Sequence, residues 1–164
     1  METAFDVFTQ CGIKDVSMDD IVRTLKISKK TLYDYFAGKE DLVLQSCRFK
    51  LDKLKNKLDY ISASMDNSLE TMVFGALEGF KFFYVLSENF KKDVLADVEL
   101  QKLFSGTKTE LDKRGILVIN RGLEEGMIEK EQNFDVLVSL FHQQLLEVKA
   151  EHKIAGTPEQ TCFD

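Results

Sequence analysis

A single proline, Pro158, occurs in 164 residues, so almost nothing in this chain obliges a helix to break. Strict alternation of apolar and polar residues is absent, whereas apolar residues recur at spacings of three and four along most of its length. The pattern predicts an all-α fold. A hydrophobic share of 44% suffices for one substantial core, or for two that share a helix. No apolar run reaches the roughly 18 to 20 uncharged residues of a membrane span, and Met1 is not followed by a signal-peptide pattern, so a cytoplasmic protein without a membrane partner is expected. Cys11, Cys47 and Cys162 are odd in number and widely spaced, which suggests incidental thiols rather than a disulfide framework or a metal knuckle.

Ala4, Phe5, Phe8 and Cys11 form the stripe of a first helix that Gly12 can end. Met1 already lies in that stripe, so a turn or more of helix is expected to be missing before it. Ser17 and Asp20 form a capping box with Asp in place of the usual Glu, followed by Met18, Ile21, Val22 and Leu25 on one face. Val16 is placed to staple against Ile21. After Lys26 and Ile27, Ser28 caps a further short helix in which Leu32 stacks on Phe36. Two short capped helices joined by a tight turn outline a helix-turn-helix.

A long helix is expected over residues 39–65. Its Leu44, Cys47, Leu51, Leu54, Leu58, Ile61 and Met65 make a heptad seam that suits either a coiled coil or a strut packed on other helices. Asn67 and Glu70 open a helix that is apolar nearly all round and therefore expected to be central. A short helix over 90–96, a long one over 98–125 ended by Gly126, and a last clear one over 134–153 complete the pattern.

The net charge of −6 opposes a nucleic-acid partner if it is spread evenly, because phosphate neutralisation needs clustered cations. It is not spread evenly. Arg23, Lys26, Lys29, Lys30 and Lys39 stand against the single acid Asp34 between positions 23 and 39, so a basic patch is set in an acidic body. A recognition helix brings its first turn to the bases, which makes Lys29, Lys30 and Thr31 candidates for base-edge and nearby phosphate contact. Tyr33, Tyr35 and Lys39 are placed as phosphate donors. Ser17 and Ser28 can combine capping with phosphate contact at helix N-termini. A core role for Tyr33 and a merely solvated Lys39 are the plain alternatives, and Asp34 would lie near phosphates unless it pairs with Lys30 four residues before it.

The stretch 3–42, TAFDVFTQCGIKDVSMDDIVRTLKISKKTLYDYFAGKEDL, resembles the DNA-binding region of the TetR family. Ser28, Lys29, Thr31, Leu32, Tyr33, Tyr35, Phe36, Lys39 and Glu40 carry the specific pattern; beyond them only the helix order and RGLEEGMI, residues 121–128, look similar. Many members have Gly where this chain has Lys26 and Lys30. Lys26 must tolerate the backbone geometry of the turn, and Lys30 is expected to change the operator that is read.

The resemblance implies an N-terminal three-helix DNA-binding domain, residues 1–45, joined by a long helix to a helical ligand-binding and dimerisation domain, residues 46–164. It implies a homodimeric, ligand-responsive repressor on a near-palindromic double-stranded operator, with recognition helices about 34 to 36 Å apart or a multiple of that. An apolar or amphipathic effector is expected in a cavity bordered by Phe80, Phe83, Tyr84, Phe104, Phe141 and His142, with Glu78 as a further polar group; ordinary core packing is the alternative for these aromatics. Dimerisation is assigned to Leu137, Leu140, Leu145 and Val148 and to a further helix expected after Pro158.

Enzymatic readings find no support. SGTKTE, residues 105–110, lacks the first glycine and the Gly-Lys adjacency of a phosphate loop. His142 and His152 are ten apart with no cysteine pair nearby, so neither a metal nor another cofactor is expected. The rivals are a helical interaction module built on the heptad helix and a small-molecule carrier; salt-sensitive duplex binding separates both from a regulator.

Overall fold

The computed structural model describes residues 1–129, apart from the side chain of Tyr84. They form seven α-helices: α1 Glu2–Cys11, α2 Met18–Leu25, α3 Lys29–Tyr35, α4 Lys39–Ser64, α5 Ser68–Tyr84, α6 Glu88–Ala96 and α7 Val98–Glu124. No strand occurs among the described residues. The expected helix over 134–153, with Leu137, Leu140, Phe141, His142, Leu145 and Val148, lies outside them.

Helix starts follow the caps. Asn67, Ser87 and Asp97 each accept a backbone N–H from the first turn of α5, α6 and α7, satisfying donors that a helix N-terminus leaves without intrahelical partners. The 26 residues of α4 span about 39 Å at 1.5 Å per residue. Its seam is buried at Cys47, Leu51, Leu54 and Ile61, and α1, α5 and α7 all pack on it. Of the two roles open to the heptad helix, the packed strut is the one realised.

One continuous apolar cluster joins the first three helices to the rest. Ala4, Phe5 and Phe8 of α1 meet Ile21, Leu32, Leu42 and Cys47, and also Leu86, Phe90, Val94 and Leu100. Phe5 packs on Phe82 and Phe90, each at 5.9 Å between ring centroids, and Phe90 meets Phe104 edge-on at 6.1 Å. Full burial of Phe5 and Phe90 contributes about 1.5–3 kcal/mol each, while Phe82 and Phe104 are partly buried. Cys47 is a free thiol whose pKa burial pushes up to about 12, which keeps it protonated and inert. Cys11 is disulfide-bonded, contrary to the expectation drawn from the cysteine spacing.

The expectation of a central α5 needs correcting. Leu69, Val73, Phe74, Leu77 and Phe83 are exposed on it, because α4 and α7 cover only part of a helix that is apolar on most faces.

RGLEEGMI forms the latch at the end of α7. Arg121 donates to Glu125 at 2.6 Å and to the carbonyl of Asp66 at 3.1 Å, while Glu125 accepts the Ser68 backbone N–H at 2.8 Å. A carboxylate therefore sits at the N-terminus of α5, where the helix dipole favours it. Gly122 lies so close to Ser68 and Ile128 that a Cβ there would meet Ile128 Cδ1 at 2.5 Å.

Candidate nucleic-acid interface

The site is built from two caps and one left-handed residue. Ser17 accepts the Asp20 backbone N–H at 3.2 Å, and Asp20 accepts the Ser17 backbone N–H at 2.8 Å, closing the expected capping box. These Ser17 contacts, followed by the Arg23 guanidinium, hold the Asp20 carboxyl below the usual range. Val16 and Ile21 are fully buried in one cluster, as a staple requires. Lys26 then ends α2 at φ 54°, ψ 40°. That is the left-handed geometry for which glycine is the unstrained residue, so this lysine holds the turn at some conformational cost.

Ser28 opens α3 by accepting the Thr31 backbone N–H at 3.0 Å, with its hydroxyl 2.7 Å from that of Thr31. Leu32 alone of this seven-residue helix is buried. Lys29, Lys30, Thr31, Tyr33, Asp34 and Tyr35 face solvent. Tyr33 is 47% and Tyr35 75% exposed, which rules out the core role considered for Tyr33. The exposed edge of α3 thus carries ammonium donors and hydroxyls that can donate, with Asp34 as its one acid.

Three charges are placed differently from expectation. No ion pair joins Lys30 to Asp34; the acid that reaches α3 is Asp19, on α2, 2.8 Å from Lys29 Nζ. This carboxylate is what raises the Lys29 pKa. Lys39 is half-buried, and its Nζ donates to the Lys14 carbonyl at 3.2 Å, tying the start of α4 to the loop between α1 and α2.

That loop is also gripped from α6. Asp93 Oδ2 accepts the backbone N–H of Ile13 at 2.8 Å and of Lys14 at 3.1 Å, and Oδ1 lies 3.4 Å from Lys14 Nζ. Gly12, at φ 95°, allows the approach, since a Cβ there would already meet Asn89 Cβ at 3.0 Å. The Ser87 backbone N–H adds a bond to the Thr9 carbonyl at 2.8 Å. Neither Asp93 nor Asp19 was picked out from sequence. Asp93 acts across about eighty residues with no local signal, and Asp19 is indistinguishable from an ordinary first-turn acid.

The aromatics expected around an effector are not gathered in one place among the described residues. Phe104 packs into the core against Phe90, Phe80 is half-buried, and Phe83 is exposed and edge-on to Phe82 at 5.3 Å. Tyr84 ends α5. Glu78 is held by Lys57 and Lys81, at 2.7 and 2.8 Å, and both lower its pKa. Neither of two clefts among the described residues is lined by Phe80, Phe83 or Phe104. One of about 250 Å³ lies among α1, α4 and α5 over Phe5, Leu54 and Phe82. Another of about 680 Å³ lies between the Lys14 loop, the start of α4 and the junction of α6 and α7.

No helix among the described residues is long and apolar enough to cross a membrane, and no cluster of three or more potential metal ligands occurs among them.

Residues 1–45 match the model of a family described as bacterial regulatory proteins, tetR family. Over 67 residues the chain is 34% identical to YuxN of Bacillus subtilis, an uncharacterized HTH-type transcriptional regulator; the match covers 41% of this chain and 23% of that protein. Over 145 residues it is 26% identical to the HTH-type transcriptional repressor KstR2 of Mycobacterium tuberculosis, covering 84% of this chain and 71% of the repressor. The solved structure of that ketosteroid transcriptional regulator shares the fold with a TM-score of 0.69 at 20% identity, over 98% of this chain and 85% of the other. A Clostridium perfringens putative fatty acid metabolism regulator does so with a TM-score of 0.62 at 18% identity, over 98% and 90%.

Proposed function

We propose that this chain, which belongs to the TetR family of transcriptional regulators, reads a DNA operator through α3 and answers to a small-molecule effector. The observation that carries the reading is α3 itself. It is a capped helix whose N-terminal turn is exposed and cationic, held by Leu32 alone to the core. Such a helix presents its first turn to the major groove. Lys30 and Thr31 are assigned to base edges, and Lys29, Tyr33, Tyr35, Lys39 and the caps Ser17 and Ser28 to phosphates.

We divide the chain into a reading unit, residues 1–45, and a sensing and dimerising part, residues 46–164. The working form is a homodimeric repressor in the cytoplasm with no catalytic role. The effector is apolar or amphipathic. Support comes from the uncovered apolar face of α5 and from the two structural relatives, a ketosteroid transcriptional regulator and a putative fatty acid metabolism regulator. Phe80, Phe83, Tyr84, Phe141 and His142 remain the proposed lining, Phe104 being set aside because it packs into the core against Phe90; Leu137, Leu140, Leu145 and Val148 are the proposed dimer contacts.

The test is selection of bound duplexes from a random pool by the full chain, followed by affinity measurement across salt concentrations. Lys30→Ala is expected to change which sequences are preferred. Lys39→Ala should weaken binding to all of them about equally and lower the log–log salt slope by about one. Failure to enrich any sequence, with no salt-sensitive duplex binding, would leave the interaction module or the carrier.

A further inference from the structure

Asp19 stands one residue before the Asp20 of the capping box and takes no part in it. Its carboxylate instead crosses to α3 and meets Lys29 Nζ at 2.8 Å, with both side chains well exposed. Lys26 and Lys30, the other cations on this edge, have no carboxylate within ion-pair distance among the described residues. One of three forward-facing ammonium groups is therefore already occupied when the protein is free.

We propose that Asp19 is an intramolecular counter-ion for the DNA-contacting ammonium of Lys29, which a duplex phosphate must displace, so that Asp19 sets the general DNA affinity of the reading head below what its lysines alone would give. The inference rests on the DNA-binding role of α3 proposed above. A lysine that meets phosphate releases a cation condensed on the duplex. When that lysine leaves a carboxylate behind, the ion pair lost offsets part of the gain at the phosphate, and because salt screens an exposed pair the offset is largest at low salt. An exposed pair of this kind is weak enough to exchange partners at each encounter. It taxes every sequence alike, because phosphates carry no sequence information.

Asp19→Asn removes the competitor and keeps the shape of the side chain. With the full chain, an operator selected from a random pool and an unrelated duplex, titrated between 50 and 200 mM salt, the variant is expected to bind both about two- to fivefold tighter at the lowest salt. Its log–log salt slope should be steeper than that of the parent chain. Asp19→Glu, which restores the charge, should return the slope to that of the parent chain. In a Lys29→Ala background the same Asp19→Asn change should have a much smaller effect, because only the general repulsion between Asp19 and phosphates remains to be relieved. A slope unaltered by Asp19→Asn, or a gain that persists undiminished without Lys29, would overturn the inference while leaving the DNA-binding role of α3 in place. Absence of salt-sensitive duplex binding by the parent chain would overturn both.

Discussion

Lys26 is where a single residue decides the geometry of the turn. A non-glycine residue in the left-handed region costs roughly 1–2 kcal/mol, and the turn between α2 and α3 cannot form without it. Lys26→Gly relieves that strain but adds freedom to the unfolded chain, so a net gain of about 1 kcal/mol is expected. On a chain of this size it should raise the melting temperature by about 2–4 °C, and the lost cation should make the DNA salt slope shallower; calorimetry and binding titration on one preparation check both. Asp20 governs the acid side of stability. Its folded pKa is held below the ordinary aspartate value by the Ser17 contacts, so the unfolded chain binds its proton more readily. The contribution is complete above the unfolded pKa and is lost as pH falls through the lower folded value. Asp20→Asn is therefore expected to melt earlier at neutral pH and to lose less than the parent chain on going below pH 4; parallel melting curves against pH would refute this.

At the scale of elements, what the sequence made legible was whatever is local. The capping box at Ser17, the cap at Ser28, the staple of Val16 on Ile21 and the seam of α4 each depend on residues within a turn or two, and each is where the pattern placed it. The Lys30–Asp34 pair was local too, yet it did not form. Asp19 reached α3 from a different helix, which spacing within α3 cannot reveal. The apolar content of α5 was legible but its central placement was not met, because how far neighbours cover a helix is a tertiary matter that its own periodicity does not carry. RGLEEGMI was visible only as a phrase. In three dimensions it is a fit between the end of α7 and the start of α5, tight enough at Gly122 that Gly122→Ala would force Ile128 and Ser68 to move. Overpacking of this kind costs about 1–3 kcal/mol. The expected outcome is a lower melting temperature with faster amide exchange at Ser68, Met127 and Ile128, and unchanged exchange in α2 and α3.

Across the whole molecule, the reading head is tied to the body by two kinds of contact that respond differently to mutation. The aromatic chain from Phe5 through Phe82 and Phe90 to Phe104 is part of the core, so Phe90→Ala, at a fully buried position, should cost about 3–5 kcal/mol and destabilise head and body together. Phe83→Ala removes a ring that is 47% exposed and should change folding stability far less, which makes it the variant able to report on effector response. The polar clasp is separate. Asp93 fixes the Ile13 and Lys14 amides, Lys14 returns a cation to Asp93, and Lys39 holds the Lys14 carbonyl, so one carboxylate ties the loop before α2 to α6 alongside the shared core. Hydrogen bonds to a charged acceptor contribute about 1.5–3 kcal/mol each, and an amide in its place has only one oxygen and no charge. Asp93→Asn should therefore keep the core intact while speeding amide exchange at Ile13 and Lys14 and through α2 and α3, with protection in α4 and α7 unaltered. If an effector shifts operator affinity in the parent chain, the same substitution should shrink that shift, because a ligand can move the head only through contacts that differ between two states. Unchanged protection at Ile13 and Lys14 would mean that the packed rings, not the clasp, hold the head.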